Sequence, residues 1–329
     1  MEIGLLIGLI LIGVLMMTFA DSEISTSAVP LPPTEALLPV ITAEPWVQID
    51  DSPEIFLEGP AFDREGNLFV SSIFDSRILK ITPDKKVSTI FSQEGLLPDG
   101  MAIHKDGRLF VVCISGKLVT VNLDGSNMTE IEARYEGKPA VMNDIVFDNK
   151  GNFYVTDFTG SVADPTGGLY RFSSDLKTVE PVIEHLASAN GVAISPEGDV
   201  LWVAETTRNS ILRLELMEDG VTVNPFVGAT IPYLFMGSPG GPDSNAVDAA
   251  GNLCQCVIFQ GRILILNKSG LPLANVLIPG RDVRKHLRTT DVAFKPGTNE
   301  AVITTSGEGG AWIYKFQGLA EGLRLFSHQ

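Results

Sequence analysis

The stretch Phe147-Asp-Asn-Lys-Gly151-Asn-Phe-Tyr-Val155 joins an Asp-x-x-Gly turn to a short hydrophobic strand. Asp at the first position and Gly at the fourth are typical of a type I turn. Versions of this unit occur six times, with the fourth position of the turn at residues 66, 107, 151, 198, 251 and 298. The sixth version, Lys295-Pro-Gly-Thr298, has its glycine one position early.

The six versions lie 41 to 53 residues apart, which matches the length of a four-stranded propeller blade. They predict an all-β fold, a six-bladed β-propeller with four-stranded blades around a central metal-binding channel. A β-sandwich is the alternative all-β fold, but it does not require a regular period. Residues 42–50 (TAEPWVQID) or 323–327 (LRLFS) are expected to supply the outer strand of the last blade.

The composition argues against several functions. The 329 residues carry 24 Lys+Arg and 40 Asp+Glu, a net charge of −16. Binding to nucleic acid or to anionic lipid needs clustered basic residues, so neither is expected. Three cysteines, Cys113, Cys254 and Cys256, are too few for a disulfide scaffold. We interpret them as buried apolar residues.

The N-terminal region differs from the rest of the chain. Residues 3–20 are apolar apart from Gly and one Thr, which is typical of a signal peptide or a membrane anchor. Thr18-Phe19-Ala20 offers small residues for cleavage, whereas Glu2 and the lack of any basic residue before Arg64 favour an uncleaved anchor. Either segment places the propeller outside the cytoplasm, with membrane contact only through residues 3–20 if they remain. The predicted parts are 1–20, signal peptide or anchor; 21–41, Pro-rich tether; and 42–329, propeller domain.

One position per blade is expected to face the channel, because the innermost strand of each blade lines it. Counting eight residues back from each repeat position selects Glu58, Asp99, Asn143, Asn190, Asp243 and Thr290. Five of these six are Asp, Glu or Asn, so the pattern predicts a ring of oxygen donors. Glycine or a small polar residue usually follows, which allows strands to approach closely at the axis: Gly59, Gly100, Asp144, Gly191, Ser244 and Asp291.

A ring of this composition favours a bound cation. Carboxylates that are packed together repel one another, and burial raises the cost of their charge. Oxygen ligands without Cys or His suit Ca²⁺, with Mg²⁺ or Mn²⁺ as alternatives, and a roomy site built from separate blades favours Ca²⁺. The alternative is that these side chains cap strand starts and bind water in the channel.

Several longer motifs resemble those of one enzyme family. They include TAEPW (42–46), IHKDGRLFV (103–111), FDNKGNFYVTDF (147–158), ANG (189–191), LWVAETT (201–207), GATIPY (228–233), GPDS (241–244), LIPGRD (277–282) and LRTT (287–290). Their order across residues 42–329 is similar to that of the calcium-dependent drug-responsive lactonases of bacteria, within the gluconolactonase/regucalcin superfamily. The resemblance implies a six-bladed propeller that hydrolyses small-molecule lactones with a calcium ion.

The resemblance also implies roles for single residues. Glu58 and Asn190 match calcium ligands of the family. Asp243 and Ser244 match its GPDS pair, in which the aspartate binds metal and also donates a proton. Asn143 occupies a ligand position that is Asp in the drug-responsive lactonases and Asn in other superfamily members. The implied metal ligands are therefore Glu58, Asn143, Asn190, Asp243 and Ser244, with Asp243 also catalytic.

Two further residues are weaker candidates for contact with the substrate. Asp99 holds the second ring position but matches no ligand of the family, and His286 lies in the loop that leads to the sixth position. The family's second calcium site uses acidic groups just before the third ring position. This chain has Lys138 there and no Asp between Tyr135 and Ala140, so the resemblance does not carry that site over.

The sequence predicts a metal-dependent lactone hydrolase, in which the metal polarises the carbonyl and Asp243 transfers the proton. The alternative is a non-catalytic calcium-binding propeller that acts as an extracytoplasmic interaction module. The proton-transferring role of Asp243 favours the enzyme, because a purely structural site needs no open coordination position.

Overall fold

A computed structural model describes residues 29–132, 134–135, 138–237 and 240–329. Within these ranges the chain is all-β, and its only helices are two 3-10 helices, Arg281–Val283 and Phe326–His328. No helix in the described part of the chain is long and apolar enough to span a membrane. Residues 3–20, the predicted signal peptide or anchor, lie outside the described ranges.

The predicted fold is confirmed: six four-stranded antiparallel blades surround a central channel. Two strands precede the first blade, β1 (Val40–Thr42) and β2 (Glu44–Asp50). From the channel outward, blade 1 contains β3 (Leu57–Phe62), β4 (Leu68–Ser72), β5 (Arg77–Ile81) and β6 (Val87–Ser92). Blade 2 contains β7 (Pro98–Ile103), β8 (Arg108–Cys113), β9 (Lys117–Asn122) and β10 (Thr129–Glu132). A small hairpin follows, formed by β11 (Arg134–Tyr135) and β12 (Lys138–Pro139).

The other blades have the same order. Blade 3 contains β13 (Met142–Phe147), β14 (Phe153–Asp157), β15 (Gly167–Phe172) and β16 (Val179–Leu186). Blade 4 contains β17 (Ala189–Ile194), β18 (Val200–Glu205), β19 (Ser210–Glu215) and β20 (Ala229–Leu234). Blade 5 contains β21 (Gly241–Val247), β22 (Leu253–Ile258), β23 (Arg262–Leu266) and β24 (Pro272–Leu277). Blade 6 contains β25 (Arg288–Phe294), β26 (Glu300–Ser306), β27 (Ala311–Gln317) and then β2.

Strand β2 closes the propeller, because it pairs antiparallel with β27 as the outer strand of blade 6. Of the two segments predicted to supply the outer strand of the last blade, residues 42–50 are therefore the correct one. Strand β1 pairs in parallel with β24 and adds a fifth strand to blade 5. Part of the predicted tether also packs on blade 5, where the fully buried Glu35 forms an ion pair with the fully buried Arg262.

Three of the repeated turns, those that begin with Asp63, Asp148 and Asp248, are held by the side chain of their first residue. Asp63 accepts hydrogen bonds from the backbone N–H of Asn67 at 2.7 Å and from its Nδ2 at 2.7 Å. Gly66 has a φ of 82°, a conformation that glycine adopts without strain. Asp148 and Asp248 form the same pair of bonds with the residue four positions later. The turn motif thus fixes where each innermost strand ends.

The hydrophobic core lies mainly between neighbouring blades. Cys254 and Cys256 are buried between blades 5 and 6, together with Ile303 and Tyr314. Cys113 is also buried, and all three cysteines are free thiols. The interpretation of the cysteines as buried apolar residues is confirmed.

The two ends of the channel differ, because all six innermost strands run in the same direction. We call the end where these strands begin the ring end and the end with the Asp-x-x-Gly turns the turn end. Residues 321–328, which we call the C-terminal cover, lie across the turn end. Ser327 accepts a hydrogen bond from Arg64 Nε at 2.7 Å through its backbone oxygen, and Phe326 packs 4.9 Å from His104. Residues 323–327 therefore form no outer strand, and the prediction of that role is wrong.

A cavity of about 110 Å³ lies in the channel beneath the cover. Its walls come mainly from apolar residues of the innermost strands, such as Met101, Phe147 and Val292. Leu325 and Phe326 of the C-terminal cover also line it. The turn end of the channel is thus largely apolar and partly covered.

Candidate functional site: oxygen donors at the ring end

A bulge in every innermost strand places the ring residues. In blade 5, Pro242 pairs with Val257 and Asn245 with Gln255, so Asp243 and Ser244 together lie opposite a single residue. The same one-residue shift occurs at the equivalent place in blades 2, 3, 4 and 6, and one residue later in blade 1, where Glu58 still pairs with Ser71. Such bulges redirect side chains, and here they lie at the ring positions.

The second strand of a blade satisfies the backbone groups that the bulge leaves unpaired. In blade 5, Gln255 Nε2 donates to the backbone oxygens of Asp243 at 2.8 Å and Ser244 at 3.2 Å. In blade 3, Thr156 Oγ1 accepts from the backbone N–H of Asp144 at 3.0 Å. These bonds hold the bulges rigidly.

Close approach of the innermost strands requires glycine, as predicted. A Cβ added to Gly59 would lie 2.4 Å from the backbone oxygen of Asp99, and one on Gly100 would lie 2.6 Å from that of Asn143. Gly59 also has a φ of 54°. Any larger residue would push neighbouring blades apart at the ring.

The structure brings the predicted ring residues together in two hydrogen-bonded groups. Asn143 Nδ2 donates to Asp99 Oδ2 at 3.0 Å, which links blades 2 and 3. Asn190 Nδ2 donates to Asp243 Oδ1 at 2.7 Å, and Ser244 Oγ donates to Asn190 Oδ1 at 3.3 Å, which links blades 4 and 5. All five side chains are buried.

Glu58 completes the ring from blade 1 and is 2% exposed. Burial raises the pKa of its carboxyl well above the ordinary value, and the nearby charges of Asp243, Asp291 and Asp99 raise it further. Burial likewise raises the pKa of Asp243 to about 7. The ring therefore holds carboxylates whose negative charge is destabilised in the absence of a cation.

Two ring oxygens have no hydrogen-bond partner in the described part of the chain, although both are buried. They are Asn143 Oδ1 and Asp243 Oδ2. Buried polar atoms normally have a partner, so each such atom needs an explanation. A divalent cation that prefers oxygen ligands would supply one, and the donor set of carboxylate, amide and hydroxyl oxygens suits calcium. The residues present thus fit the ion that the sequence predicts.

The carboxylates alone do not form such a site. Within the described ranges, no group of three or more His, Cys, Asp or Glu side chains lies close enough together to hold a metal ion. Any cation at the ring end would therefore depend on the amide oxygens of Asn143 and Asn190 as well.

Sequence reasoning missed a second pair of carboxylates directly beneath the ring. Asp144 and Asp291, treated above as small followers of the ring residues, are buried and line the cavity. Asp144 accepts from the backbone N–H groups of Ile145 and Val192, both at 2.8 Å, and burial raises its pKa to about 7. Counting seven residues back from each repeat position, instead of eight, selects Asp144 in blade 3 and Asp291 in blade 6. These two blades lie on opposite sides of the channel.

The remaining candidates lie outside the hydrogen-bonded groups. Thr290 donates to the backbone oxygen of Leu57 at 2.7 Å and so joins blade 6 to blade 1. His286 is buried, with its ring centroid 6.0 Å from that of Trp312 and 5.7 Å from that of Tyr314. A contact between His286 and a substrate stays a prediction.

Comparison with known proteins gives matches along most of the chain. Residues 56–307 match the model of the SMP-30/gluconolactonase/LRE-like region. A lactonase named drp35 from Staphylococcus saprophyticus is 42% identical over 316 residues, which cover 93% of this chain and 96% of that protein. The lactonase drp35 of Staphylococcus haemolyticus is 44% identical over the same coverage.

Solved structures share the fold at lower identity. A calcium-binding protein, regucalcin, from Agrobacterium tumefaciens has a TM-score of 0.70 at 18% identity, covering 87% of this chain and 99% of its own. A gluconolactonase from Xanthomonas campestris has a TM-score of 0.68 at 19% identity, covering 82% of this chain and 88% of its own. At these identities the likeness shows the fold alone.

Proposed function

The chain belongs to the SMP-30/gluconolactonase/LRE-like family, and from that premise we propose that it is a metal-dependent hydrolase that opens lactone rings. One observation carries the proposal: two buried oxygens of the ring, Asn143 Oδ1 and Asp243 Oδ2, have no hydrogen-bond partner within the described ranges. They lie in a ring whose carboxylates repel one another. The names of the relatives supply the substrate class, a lactone.

Glu58, Asn143, Asn190, Asp243 and Ser244 would hold the cation. Calcium suits this donor set, with magnesium or manganese as alternatives. When bound, the cation would act as a Lewis acid that polarises the lactone carbonyl.

Asp243 transfers the proton in this proposal. Its Oδ1 is fixed by Asn190 Nδ2 at 2.7 Å, whereas its Oδ2 has no partner among the described residues. When water adds to the lactone carbonyl carbon and the bond from that carbon to the ring oxygen breaks, the carboxyl of Asp243 would take the proton that the water loses and deliver it to the ring oxygen, which gives the open hydroxy acid. Gln255 holds the backbone of Asp243 from the second strand and keeps the carboxyl in place.

A substrate reaches these residues from the ring end. The C-terminal cover lies across the turn end, and the channel there is largely apolar. The ring-end loops, including the loop with His286, are therefore the expected source of substrate selectivity. Exclusion of water by the buried ring strengthens the electrostatic interactions of its residues.

The test is hydrolysis of a panel of simple lactones by the full chain, with and without EDTA. We expect activity that EDTA removes and calcium restores. Asp243→Asn should abolish hydrolysis while circular dichroism shows an intact fold. Glu197→Gln is a control for amide substitution, because Glu197 is exposed in a repeated turn at the turn end, and it should retain activity.

Three outcomes would contradict parts of the proposal. Activity that resists EDTA would exclude the metal, and full activity of Asp243→Asn would exclude the proton role. Calcium binding without hydrolysis of any lactone would favour a non-catalytic calcium-binding propeller. The location outside the cytoplasm, which rests on residues 3–20, stays a proposal that fractionation of the host cell would test.

A further inference from the structure

The two asparagines of the ring are held in the same way. Each donates its Nδ2 to an aspartate on a neighbouring blade, Asn143 to Asp99 and Asn190 to Asp243. Asp243 is itself a proposed metal ligand, whereas Asp99 is not. The contact between Asp99 and Asn143 therefore needs its own explanation.

The chemistry of the amide supplies one. The two ends of an asparagine amide have nearly the same shape, but only the oxygen can bind a cation. In the structure, Asp99 Oδ2 accepts from the Nδ2 end of Asn143 at 3.0 Å, so the oxygen end of the amide faces away from this carboxyl. With Nδ2 fixed in this way, Oδ1 points elsewhere. It is buried and has no partner among the described residues.

Asp99 is well placed to act as a rigid support. It is 2% exposed, and Ser71 Oγ donates to its backbone oxygen at 2.8 Å. Gly59 of blade 1 also packs directly against that oxygen. Asp99 is thus fixed from blade 1 while its side chain holds Asn143 of blade 3.

We propose that Asp99 is a positioning residue that fixes the amide of Asn143 with Oδ1 toward the cation. The inference rests on the proposed metal site, and it adds a role for a residue that is not itself a ligand. An aspartate in place of Asn143 would need no such support, because its two oxygens are equivalent.

The experiment compares two substitutions of Asp99 in two backgrounds. Asp99→Asn and Asp99→Ala both remove the charge, but only the asparagine keeps an oxygen that can accept from Asn143 Nδ2. Each is made in the wild-type chain and together with Asn143→Asp. The full chain is stripped with EDTA, checked by circular dichroism and titrated calorimetrically with calcium chloride, then with magnesium and manganese chloride.

We expect Asp99→Ala to bind calcium about threefold to tenfold more weakly than Asp99→Asn in the wild-type background, because the unsupported amide spends part of its time reversed. In the Asn143→Asp background the two variants should agree within about twofold, since nothing remains to be oriented. A higher calcium affinity of Asp99→Asn than of Asp99→Ala would show that the orientation of the Asn143 amide matters, because both variants lack the carboxyl group of Asp99.

Equal affinities of the two variants in the wild-type background would overturn the inference. The same difference in both backgrounds would also overturn it, because it would indicate a general packing defect. If the wild-type chain binds none of the three metals, this inference and the proposed metal site both fail. If the metal binds and the difference appears but no lactone is hydrolysed, only the proposed function fails.

Discussion

The two ends of the central channel are formed by the same six strands and yet have opposite chemistry. At the ring end the strands contribute buried carboxylates and amides, and two of their oxygens have no hydrogen-bond partner among the residues that the structure describes. At the turn end they contribute mainly apolar side chains, and the C-terminal cover packs across them. The bulge in each innermost strand separates the two regions.

The contrast shows how one repeated strand can serve both function and stability. On the ring side of the bulge, side chains are polar and costly to bury, so their presence indicates a ligand. On the turn side, side chains are mainly apolar, and the burial of the apolar ones stabilises the fold. Substitutions at the two ends should therefore affect different properties.

The largest expected effect comes from Glu58→Gln at the ring end. It replaces a negatively charged proposed ligand with a neutral amide and should lower kcat/KM for a lactone by about a hundredfold to a thousandfold. The unfolding temperature of the EDTA-treated protein should not fall, because the substitution also removes a buried charge. Lactone assays and calorimetry check both points. If Glu58→Gln lost stability but kept its activity, the ring end would serve stability rather than function, which would contradict the comparison between the two ends.

A substitution at the boundary should affect both properties. Gly59→Ala places a Cβ 2.4 Å from the backbone oxygen of Asp99 in a residue with positive φ. We expect a loss of about 3 kcal/mol in unfolding free energy, together with weaker calcium binding. Gly107→Ala is the matched control, because its φ is also positive but nothing lies within 4 Å.

Gly107→Ala should lower the unfolding free energy by only about 1 kcal/mol and leave calcium binding unchanged. Urea unfolding and calcium titration of both variants provide the measurement. Equal losses in the two variants would show that close approach of the blades at Gly59 is unimportant.

The smallest of the three effects is expected at the turn end. Phe326→Ala removes a ring that packs against His104 and Phe147 in the C-terminal cover. It should cost about 2 kcal/mol of unfolding free energy, below the usual value for a buried Phe because a terminal segment can adjust. Lactone hydrolysis should stay within about twofold of the wild-type rate, since the cover does not contact the ring. Leu325→Ala, which truncates a half-exposed neighbour, is the control and should change the stability less.

A drop in activity of Phe326→Ala that exceeds its drop in folded fraction would contradict the division between the ends. It would show that the cover influences the ring through the channel.

Much of the fold was accessible from the sequence, because local chemistry repeats in every blade. The Asp-x-x-Gly turn is a short-range structure, and Asp63, Asp148 and Asp248 form it with the same hydrogen bonds. Six regular copies then imply six blades. The ring positions followed by counting from the turn, because each innermost strand has nearly the same length.

Other features depend on tertiary structure and were not accessible. Residues 44–50 and 323–327 both contain apolar residues that an outer strand could bury, and only packing decides that β2 closes blade 6 while Phe326 enters the cover. The burial of Asp144 and Asp291 depends on the bulges, which no local motif revealed. The bond between Asp99 and Asn143 joins two blades, so neither residue alone indicates it.

The pairing of β2 with β27 also determines when the site can first exist as the chain is synthesised. The proposed ligands come from blades 1, 3, 4 and 5, and blade 6 lies between blades 5 and 1. Blade 6 is complete only when residues 44–50 pair with residues 311–317, which are synthesised more than 260 residues later. Before blade 6 has formed, the propeller is not closed. Glu58 in blade 1 and Asp243 in blade 5 then lie in the two blades that have no neighbour on one side. The complete ligand set therefore requires that blade 6 has been made and that β2 has paired with β27.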